Sequence, residues 1–136
     1  MLLHPKATVL PFAHQGPFIT TGDGAVLCFD KKHAHRSVDE GVSWESFALF
    51  HDSGIYAPST ERTLVCTRAG TVIAAWVNLQ ELQRGLGNNW GGSDEEFAHW
   101  ILPVYVCRSH DHGRTWDEPI LINRPWCGCV HSMIQT

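Results

Sequence analysis

Short runs of apolar and β-branched residues alternate with glycine- and aspartate-rich breaks along most of the chain. Residues 18–29 contain one pair of such runs around the turn Thr21-Gly22-Asp23-Gly24, and residues 63–76 contain another around Arg68-Ala69-Gly70. Apolar runs of this length on either side of a tight glycine turn are typical of β-hairpins. The pattern therefore predicts two hairpins and little helix.

Further strand-like segments follow each predicted hairpin. Residues 31–36 and 45–50 follow the first hairpin, and residues 99–108 and 119–123 follow the second. The intervening residues 78–96 are polar and glycine-rich; their first part suits a short helix, and the rest is a long loop of the kind that often carries function. Because the same order of strands occurs twice, we predict an all-β fold.

An eight-residue signature, S-x-D-x-G-x-x-W, occurs twice, at residues 37–44 and 109–116, each time between two predicted strands. Asp39 and Asp111 are expected to accept hydrogen bonds from backbone N–H groups about two residues further on, which closes an Asx-type turn. The serine adds a second side-chain bond, and the glycine suits a positive φ. The tryptophan then buries its ring, so the signature predicts a structural turn.

This signature resembles the Asp-box, or bacterial neuraminidase repeat, of the sialidase superfamily. That family is a six-bladed β-propeller in which the box joins the third and fourth strands of a four-stranded blade, on the face away from the active site. The resemblance implies that residues 1–136 form part of a sialidase-like propeller, about two blades, with residues 132–136 beginning another. An insertion is expected between the boxes, which stand farther apart than one typical blade.

The resemblance also implies a chemistry. Sialidases bind the substrate carboxylate with three arginines, whose guanidinium groups suit a planar carboxylate. They add an Asp acid/base and a Tyr–Glu pair in which Tyr is the nucleophile. The later arginines and that pair come from later blades, so we expect a glycoside hydrolase of terminal sugars that is inactive as this piece. Asp-boxes also occur in propellers that only bind, which leaves a non-catalytic glycan or protein binder as the alternative.

The first family arginine lies in a Phe/Tyr-Arg-Ile-Pro motif before a hairpin. The matching stretch here is Ile55-Tyr56-Ala57-Pro58, in which Tyr56 occupies the arginine position. Arg62 is close enough in sequence to substitute in part as a substrate-binding residue. The change puts sialic-acid specificity in doubt and leaves other sialidase-like hydrolases and binders open.

An acidic run carries the predicted catalytic role. By resemblance, the acid/base precedes the box by about a dozen residues, and Asp94, Glu95 and Glu96 lie there, with Glu96 thirteen residues before Ser109. A carboxyl group of this kind acts as a general acid when a partly apolar pocket raises its pKa. Trp90 and Trp100 flank the run and are candidates for a sugar-stacking face.

A second candidate substrate-binding group is Arg124-Pro125-Trp126, which is expected to lie between strands on the face where propeller active sites open. Arg124 is a candidate anion ligand and Trp126 a candidate sugar platform. The alternation of Cys127, Cys129 and His131 resembles the start of a thiolate and imidazole site, as do the shorter pairs His33/His35 and His110/His112. No fourth ligand is evident for the first group, so no metal and no cofactor are expected.

Composition and net charge narrow the classes of binding partner. The chain has 136 residues, 43% of them hydrophobic, and a net charge of −4, which gives no reason to expect nucleic acid or a membrane surface as a partner. No apolar run is long enough to span a membrane, and the start lacks a signal-peptide pattern, so a cytoplasmic location with reduced cysteines is favoured. A carbohydrate is the expected ligand, with self-association through exposed blade edges also open.

Overall fold

The computed structural model describes residues 9–10, 16–52, 54–84, 95, 99–125 and 130–136. The described residues form eight strands and one short 3-10 helix, arranged as two four-stranded antiparallel sheets. In each sheet the strands follow one another in chain order, which is the topology of a propeller blade. The prediction of an all-β fold is therefore confirmed, and the architecture agrees with part of a β-propeller.

The first sheet is a meander of four short strands. They are β1 (Phe18–Thr20), β2 (Val26–Phe29), β3 (His33–Ser37) and β4 (Glu45–Ala48). The β1–β2 turn is closed by the Thr21 hydroxyl, which donates to Asp23 Oδ1 at 2.6 Å. The hairpin predicted around residues 21–24 is thus observed, and the first box begins inside β3 rather than after it.

The second sheet has longer strands, and a short 3-10 helix follows its second strand. The strands are β5 (Pro58–Cys66), β6 (Val72–Asn78), β7 (Ile101–Ser109) and β8 (Ile120–Pro125), with the 3-10 helix at Leu79–Glu81. The helix agrees with the short helix expected after residue 78. Strand β5 starts five residues earlier than predicted, because the polar residues at its beginning pair irregularly with β6.

The core lies between the two sheets. Trp76 is fully buried there, and its ring lies 5.2 Å from that of Phe50, 6.3 Å from that of Tyr105 and 6.5 Å from that of Phe29. Phe29 and Phe50 come from the first half of the chain, whereas Trp76 and Tyr105 belong to the second sheet. Rings at these separations attract one another beyond their area burial, so one aromatic cluster joins both sheets.

The two boxes have the same hydrogen-bond network. In the first box, Asp39 accepts from the Ser43 N–H at 2.8 Å and from the Ser43 hydroxyl at 2.6 Å. In the second, Asp111 accepts from the Thr115 N–H and hydroxyl at the same two distances. In both, the leading serine hydroxyl donates to the aspartate and accepts from the glycine N–H, and the tryptophan Nε1 donates to the glycine carbonyl. The signature therefore encodes a turn, as predicted.

One detail of the predicted turn is wrong. The main aspartate bonds come from a residue four positions on, not two, because the chain makes two successive left-handed residues before it turns back. These are Glu40 (φ 57°) and Gly41 (φ 90°) in the first box and His112 (φ 61°) and Gly113 (φ 92°) in the second. With two left-handed residues the loop is longer, and the hydroxyl of Ser43 or Thr115 can donate to the aspartate carboxylate.

The second box also packs against the first sheet. A Cβ added at Gly113 would lie 2.6 and 2.8 Å from the two methyl carbons of the buried Leu27, so only glycine fits there. Asp23, in the β1–β2 turn, forms a salt bridge with the buried Arg36 and lies 3.9 Å from both His112 Nδ1 and Arg114 Nη1. The box thus contributes to the joint between the sheets.

The hydrogen bonds of the boxes lower the pKa of both aspartates. For Asp39, the Ser43 hydroxyl and N–H hold the pKa at about 2. For Asp111, burial by itself would raise the pKa, but the bonds from Thr115, Ser109 and Arg114 outweigh it and the pKa is again about 2. In the folded chain, both carboxylates therefore stay ionised at pH values below the range in which aspartates usually titrate.

These lowered pKa values predict acid sensitivity. A group whose pKa is lower in the folded than in the unfolded chain adds stability that is fully present above the unfolded value and is lost as the pH falls through the folded value. We expect the urea midpoint to be level above about pH 5 and to fall steadily from about pH 4 to pH 2. The variant Asp111→Asn has no charge to lose there and should show a shallower decline; an equal decline would exclude the boxes as its cause.

Two other structural findings bear on the expectations from composition. The described cysteines, Cys28, Cys66 and Cys107, are free thiols, and burial raises the pKa of Cys28 to about 12. No helix in the described part of the chain is long and apolar enough to cross a membrane.

Candidate functional site

The connections between the strands of each sheet alternate between its two ends, because the strands are antiparallel. In a four-stranded meander, the turn between strands one and two lies at the same end as the turn between strands three and four, which is the box. The connection between strands two and three, and the start of the first strand, lie at the opposite end. The end away from the boxes therefore carries residues 30–32, the start of β5 and the described residues 79–84 and 99–100. Both clefts described below open there.

The first cleft, here called the axial cleft, has a volume of about 430 Å³. It lies where the residues just before β1 and the start of β5 meet Val130 and His131, which lie outside the strands. Its described lining residues are Gly16, Pro17, Thr60, Glu61, Arg62, Val130 and His131. Such convergence is expected at the axis of a propeller.

The second cleft, here called the side cleft, adjoins the first and measures about 300 Å³. Leucines and the buried Trp100 form its floor, and charged side chains lie around them; the guanidinium carbon of Arg84 is 5.8 Å from the Trp100 ring centre. Its described lining residues are Lys31, Ser59, Thr60, Glu61, Leu79, Leu82, Arg84, Trp100 and Leu102. An apolar concave surface with a few polar groups is the usual form of a small-molecule site.

A β-bulge connects the two clefts. Pro58 pairs with Asn78 and Arg62 pairs with Trp76, so four steps along β5 match two along β6. The bulge lifts Thr60 and Glu61 out of the regular ladder, and these two residues line both clefts. Bulges often redirect side chains next to functional sites, and here the bulge makes the two clefts one continuous site.

Two side chains hold this bulge in place. The Ser59 hydroxyl accepts from the Glu61 N–H at 2.9 Å, and Arg62 Nη1 donates to the Ser59 carbonyl at 2.8 Å. Arg62 Nε also donates to the Phe29 carbonyl at 3.1 Å, and its guanidinium lies over the Phe29 ring. Arg62, predicted as a substrate-binding residue, thus lines the axial cleft while fixing the bulge to the first sheet.

Positive charge dominates the joined clefts. Lys31, Arg62 and Arg84 contribute three basic side chains, and Glu61 is the one carboxylate among the described lining residues. The chain as a whole carries a net charge of −4. Because the local charge has the opposite sign to the overall charge, the site favours an anionic ligand.

The other predicted site residues fall into two groups, those that the structure describes and those that it does not. Glu95 is exposed in the β6–β7 connection, and Arg124 is exposed near the end of β8. The expectation that Arg124 lies between strands is wrong, because β8 continues to Pro125. Asp94, Glu96, Trp90 and Trp126 lie outside the described residues, as do Cys127 and Cys129, so their roles stay predictions. The described residues contain no cluster of three or more potential metal ligands.

Tyr56, which the sequence comparison with the arginine motif singled out, packs against other aromatic rings of the core. Its ring lies 4.8 Å from that of Phe50 and 5.4 Å from that of Tyr105, and burial raises its pKa. Tyr105 donates to Glu81 Oε1 at 2.6 Å, and this bond raises the pKa of Tyr105 to about 12. Both phenols are thus neutral at physiological pH, and the bond ties the 3-10 helix to β7.

Several cleft residues escaped prediction from the sequence. Lys31 belongs to the short charged run Asp30-Lys31-Lys32, and Arg84 is a single charge shortly after the 3-10 helix. Leu79 and Leu82 are scattered apolar residues, and Glu61 lies in the polar start of a strand. The one available signal was the polar run Ser59-Thr60-Glu61 directly after Pro58, at the start of a strand that is otherwise largely apolar. Only the bulge shows why those residues are polar.

Comparison with known proteins gives limited further information. No protein-family model matches the chain, and no curated protein matches it. Among solved structures, the Hadza microbial sialidase Hz136 aligns with 26% sequence identity over 79% of this chain and 25% of that one, with a TM-score of 0.49. The chain therefore spans about a quarter of the length of that protein.

Proposed function

We propose that the chain is part of a sialidase-like, Asp-box propeller that binds a terminal anionic sugar of a glycan in the joined axial and side clefts. The observation that carries this proposal is the bulge at Thr60 and Glu61, which opens onto both clefts at the end away from the boxes. In the family that the boxes resemble, the active site also lies opposite the boxes.

The two clefts complement different parts of such a ligand. The apolar floor with Trp100 suits the flat face of a sugar ring, because an aromatic side chain can cover apolar C–H groups while keeping its polar edge elsewhere. Lys31 and Arg84 lie around this floor, and Arg62 lines the adjoining axial cleft, so positive charge that attracts a carboxylate is present in both clefts. Glu61 provides an acceptor for sugar hydroxyl groups.

Glycoside hydrolysis at this site is the further prediction from the family resemblance, with Glu96, Asp94 or Glu95 as the general acid. The acidic run leads directly into Trp100, which lines the side cleft. Because these acidic residues are only four to six positions before Trp100, we expect one of their carboxyl groups to lie near the side cleft. The residues that the family uses as nucleophile are expected in later blades, so binding without hydrolysis is the expectation for this chain.

A binding titration tests the proposal. N-acetylneuraminic acid should change the tryptophan fluorescence of the chain in a saturable way, whereas neutral galactose should bind more weakly. Arg84→Ala should weaken binding by about tenfold, because a charge-assisted contact is worth about 1.5 to 3 kcal/mol. Arg68→Ala removes an exposed arginine at the box end and is the matched control.

The outcomes separate clearly. Equal losses in Arg84→Ala and Arg68→Ala, or no saturable binding by a folded chain, would remove the proposed site. A fluorogenic aryl glycoside of N-acetylneuraminic acid, added in the same assay, distinguishes binder from hydrolase by release of the fluorophore. We expect binding without release.

A further inference from the structure

A second group of reactive side chains lies on the first sheet, and none of its members lines either cleft. Asp30, in the β2–β3 turn, contacts His35 Nε2 through Oδ2 at 3.0 Å. His35, on β3, contacts Ser46 Oγ on the neighbouring β4 through Nδ1 at 2.8 Å. A carboxylate, an imidazole and a hydroxyl thus form one continuous hydrogen-bonded chain.

The three side chains differ in exposure in a way that suits chemistry at the serine. His35 is buried, Asp30 is partly exposed and Ser46 is exposed to solvent. The imidazole is therefore held inside the sheet while the hydroxyl at its end is accessible. This is the arrangement in which a nucleophile and its base are oriented by a third group.

Asp30 is itself held firmly. Its Oδ1 accepts from the Lys32 N–H at 2.7 Å and from the His33 N–H at 2.8 Å, which leaves Oδ2 for His35. Burial alone would raise the pKa of Asp30, but these bonds outweigh it and the pKa is about 2. An ionised carboxylate accepts only, so in the neutral imidazole Nε2 is the nitrogen that donates to Asp30, and Nδ1 is the one that accepts from the Ser46 hydroxyl.

The fold does not require this arrangement. Counted from the second box, the positions that correspond to Asp30, His35 and Ser46 are Leu102, Cys107 and Glu118. The second sheet has the same topology and the same box network without any of the three groups. The chain of polar side chains is therefore a property of the first sheet alone.

We propose that Ser46 is a nucleophile, with His35 as its general base and Asp30 as a positioning residue. The substrate class is small esters with a good leaving group, since the described residues supply a nucleophile and base but no enclosed acyl pocket. Ser46 Oγ forms a bond to the acyl carbon, the bond to the leaving oxygen breaks, and the Ser46 proton passes to His35 Nδ1 and on to the leaving group. Water then hydrolyses the acyl-serine by the same base.

A fluorophosphonate is the direct probe of this site. Attack by Ser46 Oγ forms an oxygen–phosphorus bond, fluoride leaves, and the serine proton is taken up by His35. We expect one stable adduct, seen as a mass increase of the intact chain and located at Ser46 by peptide mapping. Ser43 is an internal control, since it is equally exposed and bonded to a carboxylate but has no imidazole partner.

Variants at the serine show whether the adduct depends on that position. Ser46→Ala should abolish the adduct and the release of nitrophenol from p-nitrophenyl acetate, whereas Ser132→Ala, at an exposed serine outside the group, should change neither. Ser46 is exposed, so Ser46→Ala should fold normally. No adduct on the folded chain, or an undiminished adduct in Ser46→Ala, would overturn the proposal.

The positioning role of Asp30 needs a different readout. In Asp30→Asn, the amide oxygen can keep the bonds to Lys32 and His33, while the amide N–H group faces His35 Nε2 and forces the proton onto Nδ1. Nitrogen NMR of His35 should show this change of tautomer, and the labelling rate should fall more than about tenfold. An unchanged labelling rate with a changed tautomer would show that the imidazole takes no part.

Discussion

Replacing Gly113 by alanine is expected to lower the free energy of unfolding by about 3 kcal/mol. Two costs add at this position. The backbone has φ +92°, which disfavours any residue with a Cβ, and the new carbon would lie 2.6 Å from a Leu27 methyl carbon. Because Leu27 is fully buried in the core between the sheets, it has no free space into which to move.

The first box supplies a matched control. Gly41 has nearly the same φ, +90°, but a Cβ there would lie 3.5 Å from the Trp44 ring, an ordinary contact. Gly41→Ala should therefore cost only the backbone strain, about 1 kcal/mol. Urea unfolding of the two variants measures the difference. Equal losses would mean that the second box does not pack against the first sheet as described.

Replacing Trp76 by alanine is expected to have the largest effect, a loss of about 4 kcal/mol. The ring is fully buried and contacts aromatic rings from both halves of the chain, so its removal leaves a cavity at the joint between the sheets. Such a cavity cannot be filled by small shifts of rigid rings. We expect a urea midpoint far below that of the native chain.

Trp76→Phe separates packing from polarity at the same position. The Trp76 Nε1 is buried and has no hydrogen-bond partner among the described residues. Phenylalanine loses ring volume but also removes this unsatisfied donor, whose burial costs free energy. The loss should therefore be well below half of that for alanine. A loss in Trp76→Phe as large as in Trp76→Ala would show that the indole N–H has an essential partner.

Local sequence patterns predict most of the fold because each part is specified by neighbouring residues. The hairpin turn at residues 21–24 and the boxes at 37–44 and 109–116 close through hydrogen bonds within a few residues. The boxes in particular carry their own turn chemistry, which is why two copies of one signature indicated two similar units. The packing of Gly113 on Leu27, by contrast, joins positions far apart in sequence and leaves no local pattern.

The candidate site was predicted less completely. The sequence directed attention to Arg62 and to the long connection that ends in Trp100, and both contribute to the clefts. The polar run that contains Thr60 and Glu61 did not show where these two residues lie, since their placement depends on a bulge between β5 and β6. Such a bulge arises from the pairing of two strands, and neither strand shows it alone.

The same limit applies to Asp30, His35 and Ser46. The alternation of His33 and His35 suggested only an unspecific metal pair, whereas the structure pairs His35 with Ser46 on the next strand. Cross-strand neighbours are set by register, and a shift by one residue would place another side chain there. The contact between His35 and Ser46 therefore follows from the register of β3 and β4, which no single strand reveals.

The most direct test of the proposed function is the NMR map of amide shifts during titration with N-acetylneuraminic acid. The predicted result is a single group of shifted resonances at the end away from the boxes: Lys31, Thr60, Glu61, Arg62, Arg84 and Trp100. Resonances of the two boxes should stay unchanged. Shifts confined to the boxes or to the outer strand β8, or no shifts on a folded chain, would contradict a glycan site in the joined clefts.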